Sequence, residues 1–208
     1  MAAKPSDVRE RILRRASSLF YTEGVRAVSA DKIIAAAGTT KVTFYRHFRS
    51  KDDLVVAYLQ DQSEGMRRQA EQLDPDPCTG LRQLAEAMGT EACTPDFRGC
   101  PFINAAAEYP DPEHPVRAVV SAHRQWLHGL VAGRLAQLGV PDPEQLADQL
   151  LMLRDGAMVH GYVQDAAAVG PALTAAGRAL ILARLPQDSP ARARFPGSSG
   201  QLPLGGTA

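Results

Sequence analysis

Within residues 40–51 the chain places hydroxyls, ammonium groups and rings at helical spacing: Thr40, Lys41, Thr43, Tyr45, His47 and Lys51. Hydroxyl and ammonium groups bond phosphate oxygens or base edges, and a tyrosine ring can lie against a thymine methyl. Val42 stands between Lys41 and Thr43, and its branched apolar side chain suits either a methyl contact or simple packing. Phe44 and Phe48, four residues apart, read as core rather than as readers.

A second, sparser set lies further along. Trp126 is the only tryptophan, and His123 precedes it by three residues, on the same face of a helix. Together with Met88, Phe102, Asn104, Arg154 and His160 these are candidate lining residues for a mainly apolar ligand pocket. Asn104 and Glu108 put two polar groups on one face of an otherwise apolar stretch. Cys100 follows Arg98, whose charge would favour a thiolate, so it is a redox candidate as well as a small core residue. Nothing points to catalysis: neither a nucleophile–base pair nor paired carboxylates occur at recognisable spacing. The cysteines lack close pairs with histidines at ligand spacing, so no metal site is expected, and no glycine-rich phosphate loop implies a cofactor.

These groups need helices to hold them, and the apolar periodicity supplies little else. Val8, Ile12, Ala16, Leu19 and Phe20 mark a first helix over about 6–23, ended by Gly24. Arg9, Arg11, Arg14 and Arg15 lie off its stripe and are expected to face solvent. Ser29 can cap a second helix. Gly38 breaks it, and Ala35 and Ala36 would keep it narrow where the next helix crosses. Thr39 or Thr40 caps a third helix through Phe48, and Ser50 with Asp53 opens a fourth. Beyond the breaker Asp74-Pro75-Asp76-Pro77, further helices follow near 81–88, 101–108, 116–138, from Asp142-Pro143 onward, and over 172–185. The expectation is an all-α chain of about nine helices: a helix-turn-helix domain over 1–50, a larger helical domain over 51–185, and a Pro-, Gly- and Ser-rich tail over 186–208 with too little to bury to be ordered.

A short helix, a glycine turn and a second slim helix are what a major groove about 12 Å wide accepts. The run Ile33, Ala35, Ala37-Gly38, Thr40-Lys41, Thr43-Phe44-Tyr45, His47-Phe48, Ser50-Lys51 and Leu54 closely resembles the DNA-binding signature of the TetR family of transcriptional regulators. The resemblance covers about fifty residues, with Val42 a departure where the family often has a small residue or proline. It implies that Thr40, Lys41, Thr43, Tyr45 and His47 face the groove and that Lys51 meets a phosphate. It further implies a homodimer paired through its last two long helices on a pseudo-palindromic operator. Its heads would sit in successive grooves about 34–36 Å apart. A small-molecule effector would release such a repressor by binding the DNA-incompetent state more tightly. Some regulators that resemble this one, with a similar Gly99-Cys100 then Asn104 and Glu108 arrangement, sense electrophiles through the thiol.

Composition fits that reading. Hydrophobic residues make up 45% of 208 and charged residues 22%, an ordinary globular balance. The three cysteines do not form a disulfide framework, and no signal peptide or membrane span is evident, so a cytoplasmic location is expected. The zero net charge is uneven: residues 1–60 hold eleven Lys or Arg against six Asp or Glu, and the remainder twelve against seventeen. A basic head on an acidic body is what a chain needs if only the head meets a polyanion.

Overall fold

The computed structural model describes residues 5–195. Nine α-helices and a short C-terminal 3-10 turn make up the regular structure of those residues: α1 (Pro5–Glu23), α2 (Ala30–Ala36), α3 (Lys41–His47), α4 (Lys51–Ala70), α5 (Pro77–Ala92), α6 (Pro101–Glu108), α7 (Pro115–Gln137), α8 (Pro143–Val163), α9 (Ala166–Arg184) and the turn Pro190–Arg194. The all-α expectation holds.

Side-chain caps set most of the starts. The Ser29, Thr40 and Ser50 hydroxyls accept hydrogen bonds from the amides of Lys32, Thr43 and Asp53, at 3.2, 3.2 and 3.0 Å. Asp76 does the same for Thr79 at 2.8 Å. Each such cap satisfies an orphaned donor and is worth about 1 kcal/mol. Asp142 differs from expectation: its side chain makes no capping bond, and Pro143 at the first position must open α8 unaided.

Helix α9 begins six residues earlier than the Gly170-Pro171 pair suggests. Asp165 caps it by accepting from the Ala167 amide at 2.9 Å, and Pro171 is carried inside the helix. Packing explains the tolerance. A Cβ placed on Gly89 of α5 would stand 2.5 Å from the Gly170 Cα, so the α5 and α9 backbones meet through two glycines. That crossing holds the early turn of α9 in place despite the hydrogen bond that Pro171 forgoes.

The core has two parts. One runs from the head into the body through Ile12, Phe20, Ile33, Phe44, Phe48, Leu54, Leu59, Phe102, Val116 and Met158. The other lies at the far end, around Leu135, Leu138, Leu146, Ile181 and Leu185. The segment from Pro186 departs from the expected disorder as far as it is described. Ala191 is buried in the far cluster with Phe195 packed against it, and Arg192 donates to the carbonyls of Leu182 and Leu185 at 2.7 and 2.9 Å. Arginines and two small apolar contacts compensate for the poor apolar content. Residues 196–208 lie outside the described part.

Candidate nucleic-acid interface and effector cavity

The turn between α2 and α3 depends on Gly38, whose φ of +56° is left-handed and which would meet nothing if it carried a Cβ. The turn is fastened from α1 by Arg11, whose Nε donates to the Ala37 carbonyl at 2.8 Å. Arg9 lies 5.0 Å above the Phe48 ring. Arg9, Arg14 and Arg15 are exposed as expected, Arg9 with its guanidinium over the Phe48 ring, whereas Arg11 is half-buried and holds the motif. Ala35 and Ala36 are also exposed, so the tight crossing on α3 is made by Ile33 and Ala37 instead.

Phe44 on α3 and Phe48, the residue that ends it, are buried. The opposite face presents Lys41, Val42, Tyr45 and Arg46 to solvent, with Val42 81% and Tyr45 41% exposed. Thr40 and Thr43 share a hydroxyl–hydroxyl bond of 3.0 Å at the leading end. Lys41 has only a loose, exposed pairing with Asp31 at 3.8 Å. His47 is half-buried, and its Nε2 is buried without a hydrogen-bond partner. Arg46, exposed beside Tyr45, was not singled out from sequence, although its position one residue along the same helix was the available signal. Lys51 sits at the start of α4, where its Nζ donates to the carbonyls of Val25 and Val28 at 3.0 and 3.2 Å. Two of its three hydrogens therefore close the loop between α1 and α2, and one remains.

That loop is held from the other side by α6. The Glu108 carboxylate accepts from the amides of Val25 and Arg26 at 2.9 and 2.6 Å. Nearby, the Tyr21 hydroxyl donates to the Gly99 carbonyl at 3.1 Å and accepts from the Arg98 amide at 3.0 Å. Tyr109 donates to Asp52 at 2.7 Å. Burial first, and then the Asp52 carboxylate, raise the Tyr109 pKa, so the phenol stays a neutral donor. Both ends of α6 are thus tied to the head.

A cavity of about 1260 Å³ lies among α4, α5, α7, α8 and α9. Its walls are largely apolar, from Met66, Leu84, Met88, Leu127, Leu150 and Leu173. Of the expected lining residues, Trp126, Arg154 and Met88 are on it. Phe102 and His123 lie behind Trp126, stacked face to face with ring centroids 3.6 Å apart, and His123 is 5.3 Å from the Trp126 ring. Asn104 and His160 do not reach the cavity; Asn104 is exposed and donates to the Arg98 carbonyl at 2.8 Å. The Glu91 carboxylate faces the cavity, where burial raises its pKa and Arg154 opposes the rise. His123 Nδ1 pairs with the Ser63 hydroxyl at 3.0 Å. Burial, then the charges of Arg154, Arg67 and Arg124, lower its pKa to about 4, so the ring is neutral.

Arg154 lies between the cavity and the start of α6. It lines the cavity and pairs with Asp155 at 3.0 Å, and the Cys100 thiol, at the residue that precedes the first turn of α6, is one of the groups that raise its pKa against burial. Cys100 itself is buried and is not on the cavity wall. No cluster of His, Cys, Asp or Glu suited to a metal occurs among the described residues. Helix α9 is long and apolar enough to cross a membrane by length and composition alone, but its alanine-rich sequence packs along α5 and α8.

Residues 12–58 match the model of the bacterial regulatory proteins of the tetR family. A solved TetR-family transcriptional regulator from Streptomyces coelicolor is 41% identical, over 86% of this chain and 96% of that one, with a TM-score of 0.82. Among curated proteins, the HTH-type transcriptional regulator LmrA of Bacillus subtilis is 29% identical over 58% of this chain and 67% of its own length. The HTH-type regulator YjdC of Escherichia coli is 25% identical over 72% and 81%. These relatives are transcriptional regulators, not enzymes.

Proposed function

The chain belongs to the TetR family of DNA-binding transcriptional regulators, and on that premise we propose that it is a cytoplasmic homodimeric repressor released from a pseudo-palindromic operator by a small, mainly apolar molecule. The observation that carries the DNA-reading face is the exposed Val42 and Tyr45 beside Lys41 on α3, over a fully buried Phe44. Apolar groups left in water on a basic helix suit thymine methyls, while Lys41 and Thr43 suit base edges and phosphates. Thr40, His47 and the remaining hydrogen of Lys51 flank that face and serve the backbone.

The effector side rests on the cavity and on α6. A ligand that displaces Arg154 or Trp126 disturbs the Cys100 end of α6, and the Glu108 end holds the loop of the head. Two arrangements of α6 give the two head spacings, and the ligand must favour one of them by its differential affinity. The test is selection of bound sequences from random DNA by the full chain, followed by release from the selected site on adding candidate ligands. A chain that selects no sequence, or holds its site against every ligand that fills the cavity, overturns the respective half.

A second reading keeps the fold and makes Cys100 the sensor, favoured by its place at the start of α6, whose far end holds the loop of the head through Glu108. Addition of the thiol across an activated alkene would form the S–C bond at one carbon and deliver the thiol proton to the other. Cys100→Ser abolishes release under that reading and leaves release by a reversible cavity ligand intact.

A further inference from the structure

The charged groups around the cavity, which include the carboxylates of Asp61 and Glu91, are not all paired. Five arginines line it, and four have a carboxylate partner: Arg68 with Glu64, Arg82 with Glu86, Arg154 with Asp155 and Arg194 with Asp76. The fifth, Arg178 on α9, pairs with no carboxylate among the described residues. Its one polar contact is donation from a terminal nitrogen to the Phe195 carbonyl at 3.1 Å, and its Nε is buried without a hydrogen-bond partner. A half-buried guanidinium beside apolar walls, with an orphaned donor and no carboxylate in contact, is costly unless something supplies the anion.

The surroundings say what kind of anion. Leu81, Leu150, Leu173 and Ile181 flank the approach, so the charged group must be small and borne on an apolar body. A guanidinium fork matches a carboxylate in two parallel bonds. The far end is closed by the C-terminal turn. Arg194 and Phe195 line the cavity there, and the Cys78 thiol donates to the Arg194 carbonyl at 3.4 Å. An incoming carboxylate competes with the Phe195 carbonyl for Arg178 and so loosens the turn.

We propose that the effector is an apolar monocarboxylic acid whose carboxylate pairs with Arg178, its body lying along the cavity towards Trp126. This rests on the reading of the cavity as the effector site and narrows it to one chemical class. The volume, about 1260 Å³, exceeds the few hundred to about 1,000 Å³ of common small-ligand sites and accommodates a long alkyl chain or several fused rings.

The experiment uses the full chain with dodecanoate and methyl dodecanoate as matched probes, followed by Trp126 fluorescence, calorimetry and release from the selected DNA site. The acid is expected to bind about tenfold to a hundredfold more tightly than the ester, the range for one charge-assisted pair. Arg178→Gln abolishes that preference, and Arg178→Lys restores part of it, which separates loss of charge from loss of folding. Thermal melting confirms that each variant is folded. Equal binding of acid and ester, or an acid preference that survives Arg178→Gln, overturns the carboxylate assignment while leaving the cavity as effector site. Binding of neither probe overturns the assignment as well. If, in addition, no member of a diverse apolar library binds or releases DNA, the effector reading itself fails.

Discussion

At the scale of single residues, polar groups inside the body hold fixed protonation states. His123 is buried and neutral between Ser63 and the Phe102 ring, with its pKa lowered from 6.5 to about 4. The unfolded chain binds a proton there at a higher pH than the folded one does. Its contribution to stability is therefore full above about pH 6.5 and is lost as pH falls towards 4. Melting temperature should decline across that window, and His123→Gln should remove the part of the decline that belongs to this ring; an identical pH profile in the variant would show the proton is taken up elsewhere. On the reading face, Lys41→Ala should relax preference at one base pair by about 1–3 kcal/mol if it bonds guanine. A loss of equal size across all operator variants would assign it to the backbone. The identities of these residues were legible from sequence because spacing reveals which face a side chain is on. Their partners were not. Arg11 and Lys51 look like solvent-facing or phosphate-seeking cations, yet each spends its donors on carbonyls 26 residues away, Ala37 and Val25. Periodicity carries no information about such loop carbonyls.

At the scale of elements, α6 is where a local pattern becomes a mechanical part. Its limits, Pro101 and Glu108, are evident from the flanking glycine and prolines, and the Asn104–Glu108 pairing on one face is visible at four-residue spacing. What that face meets is a tertiary fact: two amides of the α1–α2 loop at one end and the Arg98 carbonyl at the other. Replacing Glu108 by Gln leaves one neutral oxygen to accept where two carboxylate oxygens did and sets the side-chain NH2 against the other amide, a loss of about 1 kcal/mol or more at the clamp. Hydrogen exchange at the Val25 and Arg26 amides should quicken, and the head should respond less to a cavity ligand. Unchanged exchange at both amides would mean that α6 does not restrain the head. The start of α9 shows the opposite limit. Gly170-Pro171 reads as a break by local propensity, and only the Gly89 crossing overrides it. Gly89→Ala should therefore cost about 1–3 kcal/mol, because its Cβ meets backbone that has nowhere to move. A thermal melt at the parental temperature would mean α9 can slide.

At the scale of the whole molecule, the charge division and an uncovered helix face bear on assembly. The eleven cations of residues 1–60 overstate what DNA can use, since Arg11 and two of the three Lys51 hydrogens serve carbonyls and Lys32 pairs with Glu23. Each phosphate neutralised contributes about −0.9 to the log–log salt slope, so the slope per protomer should fall well short of the cation count. A symmetric pair of heads doubles it, which makes dimerisation the larger determinant of affinity. Helix α8 leaves Met152, Val159 and Val163 between 54% and 65% exposed, at spacings of seven and four residues that place them on one face, with Tyr162 beside them. Only 17% of the apolar window of α9 is buried within the chain. Large apolar side chains aligned in water on a long helix are characteristic of a surface that a partner covers, and the two helices adjoin. Pairing α8 and α9 with their copies around a two-fold axis would bury Val159 near its own symmetry mate. Val159→Glu would then place two carboxylates in a dry interface, where desolvation and like-charge repulsion cost several kcal/mol with no partner to offset them. Sedimentation should show a monomer at concentrations where the parent sediments as the proposed dimer. Binding to the two-half-site operator should collapse to that of a single half-site. The intramolecular core does not include Val159, so helicity and melting in the monomeric state should stay close to the parent's. A Val159→Glu chain that still sediments as a dimer would move the interface off this face and, with it, the geometry that sets the distance between the heads.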